Sequence, residues 1–317
     1  MNTYTLLTIN IFLLVSSITR SQNIKSSPEY IKSLTSEWTG ERSVDGRPKV
    51  PDKLLERLKA LTVEEAYNVL VNNGYYHQFE DEWMILHPDS VMTGRVVTAQ
   101  FMPGRPDFDK HIRVQGKKEN FAQKGGMNSW PIDVLTDGDV YVADHYDKKV
   151  NAAVIGDNLG NAIYSNSKRG VIFNGYVRDA EGLSEIKGFN AWIRGSHPSS
   201  STFISSIPQQ RVVTAINAPI RIAEVTVLPG DVVLAKKYGV VFIPPHLLEL
   251  VVITGEITQL RDEFGHQRLR EKKYLPGEID SGWSEEINKD FLEWLKNYPG
   301  KLPMSREELD TYLKGKN

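Results

Sequence analysis

Residues 138–175 constrain this chain more than any other stretch. Gly138-Asp139-Val140-Tyr141-Val142-Ala143-Asp144 reads as a strand and Ala152-Ala153-Val154-Ile155 as another. Residues 158–167 follow as a helix, and Gly170-Val171-Ile172-Phe173-Asn174-Gly175 closes the unit as a further strand. Strand, helix and strand within about 35 residues form a right-handed crossover between parallel strands. In such a sheet a ligand site is expected just beyond the carboxyl ends of the strands.

The flanking sequence extends this unit into one α/β domain. Residues 51–61 repeat apolar positions at helical spacing, and Thr62 opens a second helix in which Thr62 and Glu65 are spaced as a capping box. Residues 94–101 are β-branched and end at Pro103-Gly104-Arg105-Pro106, after which 105–130 read as a polar, charged insertion. Short β-rich segments at 191–194, 219–222 and 225–227, with a pair at 231–235 and 240–243 joined through Lys236-Lys237-Tyr238-Gly239, build a sheet layer. Helices are expected at 247–253, 256–273, 284–296 and 305–313. The domain therefore spans 51–270, after an extended lead-in at 22–50 lying over the surface and before a helical extension at 271–317. No repeat of solenoid period is present.

Composition removes several classes of function. The 317 residues contain no cysteine, which excludes disulfides, thiolate metal sites and a cysteine nucleophile. Lys and Arg number 38 against 40 Asp and Glu, a formal charge of -2, so no excess of positive charge is available for a nucleic acid backbone. Residues 6–15 are uncharged and apolar but too short to span a bilayer, and Thr19 and Ser21 stand where a signal peptidase reads before Gln22. Residues 1–21 thus read as a signal peptide. The protein is expected to be exported, periplasmic or secreted, and not held in a membrane after cleavage.

Common catalytic signatures are absent: no phosphate loop, no dinucleotide fingerprint, no nucleophile elbow and no paired-histidine helix. The seven histidines are scattered from His77 to His266. What remains is oxygen chemistry around the crossover. Gly156-Asp157-Asn158-Leu159-Gly160 lies between strand and helix, where the amides of Asn158, Leu159 and Gly160 open a helix N-terminus suited to a carboxylate. Arg178 and Asp179 follow the next strand at the same end of the sheet. Arg178 suits an anion or a developing oxyanion, and Asp179 suits a hard divalent cation completed by water. The same residues also suit a plain structural role, with Arg178 and Asp179 as an ion pair capping a helix and Asp157 as an N-cap.

Asp157, twenty intervening residues and then Arg178-Asp179, within the frame Gly170-Val171-Ile172 and Asn174-Gly175-Tyr176-Val177, resemble the RraA-like family. That family includes divalent-metal aldolases acting on 4-hydroxy-4-methyl-2-oxoglutarate and non-enzymatic regulators of ribonuclease E. Val225-Thr226-Val227-Leu228-Pro229-Gly230-Asp231-Val232-Val233 and Gly239-Val240-Val241-Phe242-Ile243-Pro244 resemble its second hallmark, and 54–70 and 94–99 its opening helices and first strand. The resemblance covers about residues 50–270 and implies the family's swivelling β/β/α fold, here with helical N- and C-terminal extensions.

What it implies for the site is specific. Asp179 binds Mg2+ or Mn2+, Arg178 steadies the pyruvate-like carbonyl as it becomes an enolate, and Asp157 handles a water on the metal in proton transfer. The backbone amides of Asn158 and Leu159 take the substrate carboxylate. An acid from the C-terminal helix of a neighbouring subunit completes an aldolase site, and Glu263 is the best match. Relatives form trimers or dimers of trimers, so a homotrimer or homohexamer is expected. The expected function is a metal-dependent carbon-carbon lyase of the pyruvate aldolase kind, cleaving or decarboxylating 2-oxo or hydroxy acids from sugar-acid or aromatic breakdown. The alternative is a binding or regulatory protein on the same fold. Lys236-Lys237-Tyr238 stand where members often carry acids, and the 105–130 insertion, the tail and the export signal depart from the family.

Overall fold

Every residue of Asp139–Asp144 is buried, so this strand needs a covering layer on each face of its sheet. The structure, a computed structural model, describes residues 23–146, 153–198 and 211–314 and supplies both layers. Its strands are β1 (Phe79–Glu80), β2 (Met84–Ile85), β3 (Met92–Pro103), β4 (Asp139–Asp144), β5 (Val171–Val177), β6 (Ala191–Ser196), β7 (Arg211–Ile216), β8 (Ile220–Ile222), β9 (Val225–Val227), β10 (Val232–Lys236) and β11 (Gly239–Ile243). The helices are α1 (Pro28–Leu34), α2 (Asp52–Leu58), α3 (Val63–Asn72), α4 (Pro106–Lys118), α5 (Asp157–Ser167), α6 (Ala180–Ser184), α7 (Leu248–Arg270), α8 (Pro276–Ile279), α9 (Glu285–Lys296) and α10 (Arg306–Lys314).

Among the described residues, nine strands form one sheet in the order β1-β11-β10-β3-β4-β5-β6-β2, with β7 paired to β3. Strands β3, β4, β5 and β6 run parallel, as the expected crossover requires, and β5 returns beside β4 with Tyr141 opposite Val171. The two-residue period of the strands sorts the core. Tyr141, Ala143, Val171 and Phe173 pack on one face with Ile163 of α5, whereas Val140, Val142 and Ile172 pack on the other with the β8-β9 pair. Helices α2, α3 and α7 cover β10 and β11 through Leu58, Leu70 and Val252.

The capping box is present: Thr62 accepts from the Glu65 amide, and the Glu65 carboxylate accepts from the Thr62 amide. Thr62→Ala is expected to lower stability by about 1 kcal/mol, read as a shift in the urea midpoint with unchanged slope. A midpoint that does not move would mean that tertiary packing alone holds α3.

Several expectations change. Residues 153–155 are not a strand; they lie along the end of β5, where Val154 N–H donates to Tyr176 O at 2.9 Å and Arg178 N–H to Ile155 O at 3.0 Å. The helices expected at 247–253 and 256–273 are one, α7, because Gly255 sits inside it where any Cβ would overlap Leu61. The 22–50 lead-in contains α1, capped by Ser27, and buries Ile24, Ile31, Arg47 and Val50. Within 105–130, α4 is followed by Phe121 and Trp130, whose rings stack at 5.1 Å in the core. Strand β7 has no counterpart in the sequence reading. The expected signal segment lies outside the described residues. Among the described residues no helix is long and apolar enough to cross a membrane.

Candidate functional site at the carboxyl ends of the parallel strands

The crossover brings Asp157, Arg178 and Asp179 together around Gly156. Arg178 Nη1 lies 3.3 Å from Asp179 Oδ2, and both side chains are about one-third exposed. A Cβ at Gly156 would overlap Asp179 Oδ2 and stand 3.0 Å from Arg178 Nε, so only glycine lets the pair close over this backbone. The Asp157 carboxylate lies against α6, with its Oδ2 3.3 Å from where a Cβ at Gly182 would be.

Neither aspartate caps a helix. Asp179 precedes α6 in the left-handed region, φ 54° and ψ 42°, and makes no side-chain capping bond. A non-glycine residue held there stores local strain, a feature that clusters at ligand sites. Gly156 is the N-cap of α5, again without a side-chain cap, and Asp157 is the first helical residue. Asp157 Oδ1 accepts the Asn158 amide at 2.8 Å, which leaves Oδ2 facing the α6 side. Asn158 is exposed and Leu159 half-buried in the first turn.

Residues 153–156, which lead into the site, are held from three directions. Arg211 Nη2 of β7 donates to Ala153 O at 2.6 Å, and Asn128 Nδ2 donates to Val154 O at 2.7 Å. The end of β5 supplies the third hold, through the Tyr176 carbonyl and the Arg178 amide. Arg211 is 6% exposed, and burial pushes its guanidinium down to about 10 against the opposing pull of Tyr146 and Tyr141. Sequence reading missed Arg211 and Asn128, because only the fold places them beside this loop.

A polar row crosses the same strand ends. Gln100 Nε2 and Asn174 Nδ2 each donate to Asp144 at 3.0 Å, and Arg194 Nε donates to Asn174 Oδ1 at 3.1 Å. Arg194 also pairs with Glu80 and lies over the Trp83 ring, 4.2 Å from its centre. Each of the four is a polar residue set among apolar strand residues: Asp144 ends β4, whereas Gln100, Asn174 and Arg194 interrupt β3, β5 and β6, which run on beyond them.

Glu263 lies apart from this group in the subunit. It is exposed on α7, and its Oε2 accepts the Tyr298 hydroxyl at 2.7 Å, which ties it to the C-terminal extension. Lys236, in the β10–β11 hairpin, donates to the Leu61 carbonyl and has a structural role. Among the described residues no three His, Asp or Glu side chains converge as a metal cage. Asp179, accessible to solvent, fits the other mode of hard-cation binding, in which one carboxylate holds the ion and water fills the remaining positions.

A family model described as RraA-like, Aldolase/RraA, matches residues 61–242, and the chain belongs to this family. A Burkholderia mallei protein named as a 4-hydroxy-4-methyl-2-oxoglutarate aldolase is 29% identical over 100 residues, 32% of this chain and 56% of that protein. The chain thus spans about half the length of the curated relatives it matches. Among solved structures, Streptomyces coelicolor RraAS2, described as an unusual member of the RNase ES inhibitor RraA protein family, superposes with TM-score 0.58 and 23% identity. That match covers 69% of this chain and all of the other. An uncharacterised Pseudomonas syringae protein gives TM-score 0.57 at 17% identity, over 74% of this chain and all of its own. These two share the α/β fold, to which this chain adds helices at both ends.

Proposed function

We propose that this chain is a carbon-carbon lyase of the pyruvate aldolase type, cleaving or decarboxylating 2-oxo or hydroxy acids at the Asp157, Arg178 and Asp179 group. The observation that carries this reading is the convergence of the three around Gly156, with Asp179 in a strained conformation and neither aspartate spent on capping. Relatives named as aldolases support the lyase class.

The residues divide the work. Arg178, free to approach from the solvent side, offsets negative charge as the 2-oxo oxygen becomes an enolate. Asp157 Oδ2, the oxygen not taken by Asn158, carries the proton. In retro-aldol cleavage the C4 hydroxyl loses its proton, the C3–C4 bond breaks, and the pyruvate enolate is then protonated at C3. The Leu159 amide and the N-terminus of α5 receive the substrate carboxylate, while the Asn158 amide must first leave Asp157. Asp179 would hold Mg2+ or Mn2+, which supplies Lewis-acid polarisation of the 2-oxo acid when bound. The proposal includes a cyclic trimer or hexamer in which Glu263 reaches a neighbouring subunit's site, and export directed by residues 1–21.

The test is pyruvate release by the purified chain from a panel of 4-hydroxy-2-oxo acids and oxaloacetate. We expect turnover with Mg2+ or Mn2+ and at least a roughly tenfold loss with EDTA. Silence across the panel from folded, oligomeric protein would overturn the lyase reading in favour of a binding protein. Gly156→Ala is expected to lower kcat by roughly 100-fold with KM little changed, since an added methyl displaces Asp179 and Arg178 by about an ångström. Unchanged kinetics would show that the pair does not act where it stands.

A further inference from the structure

A cavity of about 300 Å³ lies between the N-terminal lead-in and the open end of the β10–β11 hairpin, and it shares no residue with the site around Gly156. Leu34 and Trp38 wall it from the lead-in, Tyr75 from the end of α3, and Pro244 and Pro245 from the approach to α7. Leu34 and Trp38 come from the lead-in, outside the segment matched by the family model, residues 61–242, whereas Tyr75, Leu228 and Asp231 lie within it.

Asp231 lines this apolar space and is 3% exposed. Its Oδ2 accepts the Leu228 amide at 2.8 Å, closing the turn before β10. Oδ1 takes no hydrogen bond among the described residues, and no cation lies beside it. Burial disfavours the charged form of this carboxyl and pushes it up to about 7, and a cation bound beside it would favour the charged form again. Nothing in the walls compensates. No Lys or Arg lines the cavity. His246 is held in hydrogen-bond contact with the Tyr75 hydroxyl at 3.2 Å, and burial lowers its ring below its ordinary value against a smaller opposing pull from Glu37. Glu37 adds a second negative group at the rim.

We propose that this cavity binds an organic cation, a protonated amine or quaternary ammonium on an apolar or aromatic body, with the cation against Asp231 Oδ1 and the body between Trp38 and Tyr75. Each part of the ligand answers a feature of the walls. The cation supplies the counter-charge the carboxylate lacks. The electron-rich faces of Trp38 and Tyr75 favour a cation, and the Trp38 ring is fixed by its Nε1–H bond to Glu41 O. The volume suits a ligand of about one ring. The Leu228 turn explains Oδ2 alone.

The test is calorimetric titration of the purified chain with benzylammonium, beside benzyl alcohol and phenylacetate as neutral and anionic analogues. We expect saturable binding of benzylammonium, about tenfold or more tighter than benzyl alcohol, and none of phenylacetate. Asp231→Asn keeps an acceptor for Leu228 N–H and removes the charge, and Trp38→Leu removes one wall. Each should weaken benzylammonium by about tenfold while pyruvate release is unchanged. Benzyl alcohol or phenylacetate binding as tightly as the amine would overturn the proposal, as would absence of saturable binding by benzylammonium. If Asp231→Asn does not fold, Trp38→Leu decides, since Trp38 is half-buried outside the sheet, and an unchanged affinity in that variant refutes the site.

Discussion

Arg178→Ala should lower kcat for pyruvate release by roughly 100- to 1,000-fold while leaving the melting temperature within about 2 °C of the parent. The two halves of that expectation come from different observations. On the proposed mechanism Arg178, paired with Asp179, meets charge that develops only in the transition state, so its loss should fall on kcat rather than KM. Structurally, its side chain makes one long, partly exposed ion pair, and pairs of that kind contribute less than about 1 kcal/mol. The contact that holds the local fold is the Arg178 amide donating to Ile155 O, which alanine retains. Arg178→Lys keeps the charge without the planar fork and should recover a minor part of the rate. A melting temperature lowered by 5 °C or more, with full activity in the protein that remains folded, would make the pair structural and remove the lyase mechanism.

The spacing of Asp157 from Arg178-Asp179 was legible because a parallel crossover converts a separation along the chain into a shared strand end. The strands themselves were legible for the same local reason: Val140 and Val142 face one layer, and Tyr141 and Ala143 the other. Thr62 announced its helix, since a cap is decided within one turn. Features that depend on distant partners were not legible. Strand β7 pairs Val213 with Phe101 across more than a hundred residues, and its composition alone does not name that partner. The sequence split α7 into 247–253 and 256–273, whereas Gly255 continues the helix with Leu61 in the space of its missing side chain. In the candidate site, Asp157, Arg178 and Asp179 were marked by spacing, but Arg211 and Asn128, which hold the loop before Gly156, carry no motif because each acts through one backbone carbonyl.

The lead-in illustrates the same limit and carries the largest expected effect on stability. Arg47 sits in a polar, Gly- and Pro-bearing stretch that reads as surface, yet its side chain is 4% exposed and that of its partner Asp139 is 2%. The guanidinium fork donates to both Asp139 oxygens, at 2.8 and 3.0 Å, while Nε donates to Asp45 at 2.7 Å. Asp139 stands at the start of β4, where it also accepts the Thr136 amide and hydroxyl. Arg47→Met therefore leaves a buried carboxylate without its cation, at an expected cost of about 3–5 kcal/mol and a Tm drop of roughly 10 °C. Lys49→Ala, which breaks the exposed pair with Glu41 two residues on, should cost less than about 1 kcal/mol. The pH dependence has a definite sign. Burial acts to raise the Asp45 carboxyl, but Arg47 outweighs it and holds that group below the usual carboxylate range. The stability it lends is thus full above about pH 4 and is lost as acid titrates the folded protein. Arg47→Met should reduce that acid-side loss, leaving the Ser43 hydroxyl and the residue-47 amide to favour the charged form against burial. Adding Asp139→Leu to Arg47→Met should recover part of the cost, because the unpaired charge goes with it. If the single variant loses less than about 1 kcal/mol, the lead-in is an appendage to the sheet and Asp139 is adequately held by Thr136.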